Sequence, residues 1–240
     1  MDLSIKRIRY LFLKDVKDHL KHPLIVMLLI MPVFVAVLYT LMSDPSQPSE
    51  SFELVSMPIL MAVLFLCGMM PATSIAEEKE KGTFQMLLAS PTNVKEVLMA
   101  KSILFFSLTV IICAICLFIQ GLSVQPLPFA LFFLLSCTFY LLLSTSIGLW
   151  STSQVQSTSI HLPVALGLFF LATFEPLIDQ RWVSSINALF PIKYAYEGLG
   201  LSIAGGNVSD YYLPLIVLSG WTVFFGIVLY LVHRHNEQKG

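Results

Sequence analysis

Charge is what this chain has least of. Asp, Glu, Lys and Arg make up 12% of 240 residues, against 56% for the hydrophobic set. Soluble domains carry about a quarter charged residues, so the chain lacks the polar surface to stay in water at this length. A net charge of −1 gives no electrostatic footprint for nucleic acid, and no basic patch with interleaved aromatics occurs beyond residues 1–22. A nucleic-acid partner is therefore not expected. The four cysteines, Cys67, Cys113, Cys116 and Cys137, fall inside hydrophobic runs and read as small apolar residues, not as a disulfide framework. Cys113 and Cys116 form a C-x-x-C on one helical face, but redox or metal chemistry needs access to water that such a run withholds. The sequence has no G-x-x-x-x-G-K-[ST], no H-E-x-x-H and no G-x-S-x-G, so catalytic, cofactor-binding and metal-ligating residues are all expected to be none. His233 and His235 are two apart and do not share a helical face. This chain is not expected to be an enzyme.

Long hydrophobic runs are what it has instead. Pro23–Met42 offers 20 residues that rise about 30 Å as a helix and match a bilayer core. Further runs at 54–76, 102–120, 129–150, 155–174 and 211–232 bring the expected spans to six. The fifth is the weakest, because 160–174 alone is short and contains His161 and Pro163. Pro32 is placed to kink the first span. In the fourth, Ser144 and Gly148 have the small-x-x-x-small spacing that lets helix backbones approach. Residues 1–22 alternate Lys and Arg with Leu, Ile, Phe and Val as an amphipathic helix lying on a membrane surface. Between the last two spans, 183–190 and 194–204 are apolar enough to enter a bilayer but too short to cross it. With Pro191 between them, a re-entrant external hairpin within 175–210 is the natural solution. The expected fold is all-α and polytopic, one membrane domain over 1–240. Of the 14 Lys and Arg, all but Arg181 and Lys193 fall on one side if the N-terminus is cytoplasmic, which places both termini there and the 43–52 linker outside.

Residues 77–101 are the exception to this apolar pattern. Glu77-Glu78-Lys79-Glu80-Lys81 leads to Gly82-Thr83, then to apolar Phe84, Met86, Leu87 and Leu88, and then to Ser90-Pro91. Asn93 followed by Glu96 has capping-box spacing ahead of Val94, Val97 and Leu98. Two short helices with a hinge are expected, with the acidic run solvated and the stripe at 84, 87 and 88 free to dock a soluble partner.

The same residues, with Lys101 beyond them, resemble the first cytoplasmic loop of bacterial ABC exporter permeases of the type-two, or drug and polysaccharide, group. Ala100 departs from the glycine common there, at little cost in a helix. The resemblance implies that Glu77, Glu78, Glu80, Gly82, Thr83, Phe84, Leu87, Leu88, Ser90 and Pro91 form a coupling helix. That helix would sit in a cleft of a separate ABC ATPase subunit, which would bind the ATP and Mg. The first helix would pack beside it. Asn187, Phe190, Pro191, Tyr194 and Glu197 resemble the external helices of the family and imply an external gate. Further implied partners are the lipid bilayer and a second permease copy or a related permease, in a bacterial inner membrane. The spans offer hydroxyls such as Ser107, Thr109, Thr138 and Thr222 among Phe, Leu and Met, surfaces that suit an amphipathic drug, peptide or lipid-like substrate. Two other readings compete: an ion-driven secondary transporter, which normally needs mid-membrane carboxylates, and a membrane scaffold that recruits a soluble protein.

Overall fold

The computed structural model describes residues 4–19, 21, 23–42, 51–89, 92–174 and 181–237. Among these residues there is no strand. The helices are α1 (Ile5–His19), α2 (Pro23–Met42), α3 (Ser51–Ala62), a π-helical segment (Val63–Met69), α4 (Met70–Glu80), α5 (Thr83–Ala89), α6 (Val94–Gln120), α7 (Pro126–Trp150), α8 (Gln154–Phe174), α9 (Arg181–Asn187), α10 (Pro191–Ala204) and, after a short 3-10 turn, α11 (Tyr212–Glu237). Six stretches are long and apolar enough to cross a membrane: Ile25–Met42, Ser56–Glu80, Val94–Gln120, Pro126–Trp150, Gln154–Thr173 and Val208–Val232. The protein is an all-α, multi-pass membrane protein.

The second span is the axis of the bundle. Its hydrophobic window is entirely buried, and α6, α7 and α8 pack around it. In contrast α2 and α11 expose rows of large apolar side chains, such as Met27, Phe34 and Leu41, and Phe224 and Leu231, as lipid-facing helices must. The central span is helical from α3 through α4, but its middle is wound as a π-helix. A proline ring clashes with the carbonyl four residues before it, and the wider π turn just ahead of Pro71 makes room for that ring.

Helix approach follows the small residues. Ser144 Oγ accepts a 2.9 Å hydrogen bond from the Ala72 backbone N–H. One turn on, a Cβ on Gly148 would lie 2.9 Å from Ala72 Cα. The small-x-x-x-small pair thus brings α7 against the backbone of α4. Gly198 does the same for α10, packed against the ring of buried Phe132 on α7. All four cysteines are free and buried. Ser107, Thr109, Thr138 and Thr222 each donate to the carbonyl four residues earlier, which satisfies hydroxyls within their own helices.

Several boundaries differ from the sequence expectation. The third span begins at Val94, so the second of the two expected short helices is the first turn of a 27-residue helix. Nothing between 94 and 120 breaks a helix, and the capping box marks its true start: Lys95 N–H donates to Asn93 Oδ1 and Asn93 N–H to Glu96 Oε2. The fifth span is one helix from Gln154 that contains Pro163. The linker at 43–50, residues 175–180 and the end at 238–240 lie outside the described residues, as do Ser90 and Pro91.

Candidate functional site

Most of the described charges of this chain converge on one end of the bundle, where α1 lies along α6 and reaches α4. Glu96 has no exposed side-chain surface. Its carboxylate receives Arg7 through Nε at 2.9 Å and Nη2 at 2.8 Å, and the Ser4 backbone N–H at 2.7 Å. One side chain therefore caps α6 and fastens α1 to it.

Lys101, just over one turn further along α6, is likewise fully buried. Its ammonium contacts Asp15 Oδ2 at 3.3 Å, Glu78 Oε1 at 3.1 Å and Ser74 Oγ at 2.8 Å. Lys14 adds a second cation to Glu78 at 3.3 Å. A buried ammonium is tolerated only when its charge and protons are matched, and here α1 and α4 each supply a carboxylate. His19 extends the network with a fixed polarity. Its Nδ1 lies 2.8 Å from the Asp15 carbonyl, which only accepts, so Nδ1 carries the proton and Nε2 accepts from Ser74 Oγ at 2.7 Å. Burial first, and then the Lys101 charge, hold the imidazole below its ordinary pKa. Lys14, Asp15, Asp18, His19, Ser74, Glu77 and Glu78 line an adjoining cavity of about 310 Å³.

The coupling residues named from the sequence separate into two groups. Gly82 stands at φ +71°, a left-handed conformation that turns the chain sharply between α4 and α5. Thr83 Oγ1 donates back to the Glu78 carbonyl at 3.2 Å. Phe84 is only 7% exposed and packs in a core with Leu11, Ile75, Val97, Ala100 and Leu149, and Leu87 is half-buried against the same group. Phe84, and in part Leu87, are thus turned into the chain's own interior. The outward face of α5 carries Gln85 and Met86, the latter 72% exposed. The acidic run is not uniformly solvated either. Glu77 pairs with Lys81 at the surface and raises its pKa, whereas Glu78 is drawn in toward Lys101, a cation with no exposed surface. Glu80 accepts from the Gln154 backbone N–H at 2.8 Å. The Leu88 side chain, Ser90 and Pro91 lie outside what is described.

Arg7, Asp15 and Ser74 were not legible as site residues, and Lys101 was legible only as part of a motif. A signal existed. Asp15 follows Leu11 by one turn on the inward face of α1, and Lys101 follows Val97 by one turn on the inward face of α6. A charge on an apolar stripe needs a partner elsewhere, but the stripe does not say which.

A family sequence model described as ABC-2 family transporter protein matches residues 36–231, well over half of the chain. The chain belongs to that family. No curated protein matches it. In this ABC-2 permease the charged end therefore includes the loop between the second and third spans, and the opposite end carries α9 and α10.

Those two short helices bring Asn187, Phe190, Pro191 and Tyr194 together at one turn. Asn187 is fully buried, and Pro191 opens α10 at a position that needs no N–H donor. Tyr194 donates from its hydroxyl to the Ala188 carbonyl at 2.9 Å, which staples the turn. Glu197 does not join them; it lies on the outer face of α10 with its carboxylate 3.8 Å from Lys193. The rest of α10 is inserted against α3, α7 and α11.

Proposed function

We propose that this permease is the membrane-spanning subunit of an ABC exporter that docks a separate ATPase, the chain that binds ATP and Mg, through the outward face of α5. One observation carries the reading most. α5 is held on its inner side by a core shared with α1, α4, α6 and α7, so a force applied to its exposed Gln85–Met86 face reaches three spans at once. A solvated hairpin would have no such backing. The Lys and Arg bias supports a cytoplasmic position for this end and both termini, and the resemblance to bacterial permeases supports a bacterial inner membrane. The stapled α9–α10 turn then closes the outer end of a route lined by this chain and a second permease copy or a related one. Ser107, Thr109, Thr138 and Thr222 bond their own helices, and beside the many Phe, Leu and Met side chains they leave mainly apolar surface, which supports an amphipathic drug, peptide or lipid-like substrate.

The test is Met86→Asp, with Phe84→Ala as a comparison. The exposed substitution desolvates a charge only when a partner covers it, so the ATPase complex is lost at a cost of ~2–4 kcal/mol while folding and membrane insertion are kept. Phe84→Ala lowers the stability of the permease itself. Retention of the complex and of ATP-driven transport in Met86→Asp would falsify the docking face.

A further inference from the structure

The last residues of α4 do something that the coupling motif does not call for. Lys79 is directed away from α5, toward the end of α7. Its ammonium donates to the backbone carbonyls of Gly148 at 3.2 Å and Ser151 at 3.0 Å, and also to that of Leu149. Gly148 and Leu149 supply two of the last carbonyls of a 25-residue helix, its partially negative end, and Ser151 is the residue that caps it. The neighbouring Glu80 accepts from the N–H of Gln154, the first residue of α8 and its partially positive end. A cation and an anion, consecutive on α4, thus hold the two helix termini that flank the 151–153 turn, each with the complementary sign.

The tether is reinforced on both sides. α4 and α7 already touch backbone to backbone at Ala72, Ser144 and Gly148. α8 packs mainly on α4 and the π segment and little on α7, the helix it follows in sequence. Only Lys81 and Gly82 separate Glu80 from α5.

We infer that the 151–153 turn is a second arm of the coupling loop, and that Lys79, holding the end of α7 and the turn, acts with Glu80, holding the start of α8, as the positioning pair that makes the turn and α8 move with α4 when α5 is displaced. Lys79 lies half-buried, its ammonium turned to the carbonyls at the start of the turn. The pair transmits to the fifth span a displacement that the core behind α5 delivers to the second, third and fourth. This rests on the permease reading given above.

The experiment compares wild type, Lys79→Met, Lys79→Arg and Glu80→Gln, each co-reconstituted with the ATPase in vesicles. Transport and ATP hydrolysis are measured in the same sample. In Lys79→Met the ratio of transport to hydrolysis falls about tenfold while the ATPase still binds, and Lys79→Arg restores it, because a guanidinium also donates to several carbonyls. Glu80→Gln lowers the ratio less. A second arm uses the permease alone in nanodiscs, with spin labels at the exposed positions Gln85 and Thr152. The distance distribution is narrow in wild type and Lys79→Arg and broad in Lys79→Met. An unchanged ratio in Lys79→Met overturns the inference. If that variant is not recovered folded, an unchanged ratio in Glu80→Gln does so. Should wild type neither bind an ATPase nor transport, the permease reading itself fails; equal spin-label widths in wild type and Lys79→Met then overturn the tether independently.

Discussion

Replacing Gly198 by Ala puts a methyl carbon 2.6 Å from both Cγ and Cε1 of the Phe132 ring, and nearer still to Cδ1. Carbon atoms in contact prefer about 3.5–4.0 Å, so roughly an ångström of separation has to be found at three ring atoms together. The ring has no room to yield, since Phe132 is fully buried between α10 and its own helix. Overpacking costs ~1–3 kcal/mol, and clashes below 3 Å at three buried ring atoms put this site in the upper part of that range, ~2–3 kcal/mol, against which Ala regains about 1 kcal/mol of helix propensity over Gly. The net loss of ~1–2 kcal/mol lowers Tm by about 2–8 °C at this chain length. The assay is thermal unfolding of the purified permease in nanodiscs, run as a double-mutant cycle with Phe132→Leu. Phe132→Leu alone destabilises by leaving space, but in the Gly198→Ala background it accommodates the methyl. The double variant is therefore more stable than the sum of the singles, with a coupling energy of ~1–3 kcal/mol. An unchanged or raised Tm for Gly198→Ala, or simple additivity in the cycle, would refute the packing of α10 on α7.

At the α4–α7 crossing, Gly148→Ala meets Ala72 backbone atoms at 2.9 and 3.0 Å and lowers Tm, whereas Gly167→Ala on α8, with nothing within 4 Å among the described residues, leaves it unchanged or raised; the same unfolding assay checks the pair. Lys101→Met leaves Asp15 and Glu78 without their shared buried cation and costs ~3–5 kcal/mol, read as loss of folded protein. Adding Asp15→Asn and Glu78→Gln removes the stranded charges and recovers most of that loss, and a triple variant no better than the single one contradicts the network.

The six spans were legible from composition and run length, because a bilayer demands about 20 apolar residues of every crossing and tolerates few exceptions. Asn93 with Glu96 marked a helix start, since a capping box is satisfied within four residues of chain, but not that this helix runs on as the third span. Ser144 and Gly148 marked a close helix approach before α4 could be named as the neighbour. The family, too, was readable in residues 77–91, where a local motif survives without its surroundings. Tertiary structure alone decided which way those residues face. The stripe of Phe84 and Leu87 has the same periodicity whether a partner or the chain itself covers it, and only the positions of Leu11, Ile75 and Val97 settle that it is the chain. The pairings of Lys101 with Asp15 and Glu78, and of Arg7 with Glu96, join residues 86, 23 and 89 positions apart in sequence. The long-range partners of a buried charge depend on how the helices rotate and cross, quantities that no single helical face encodes. The π-helical turn ahead of Pro71 belongs to the same class, for a proline signals a disturbance in a helix while the packing around it selects the form that disturbance takes.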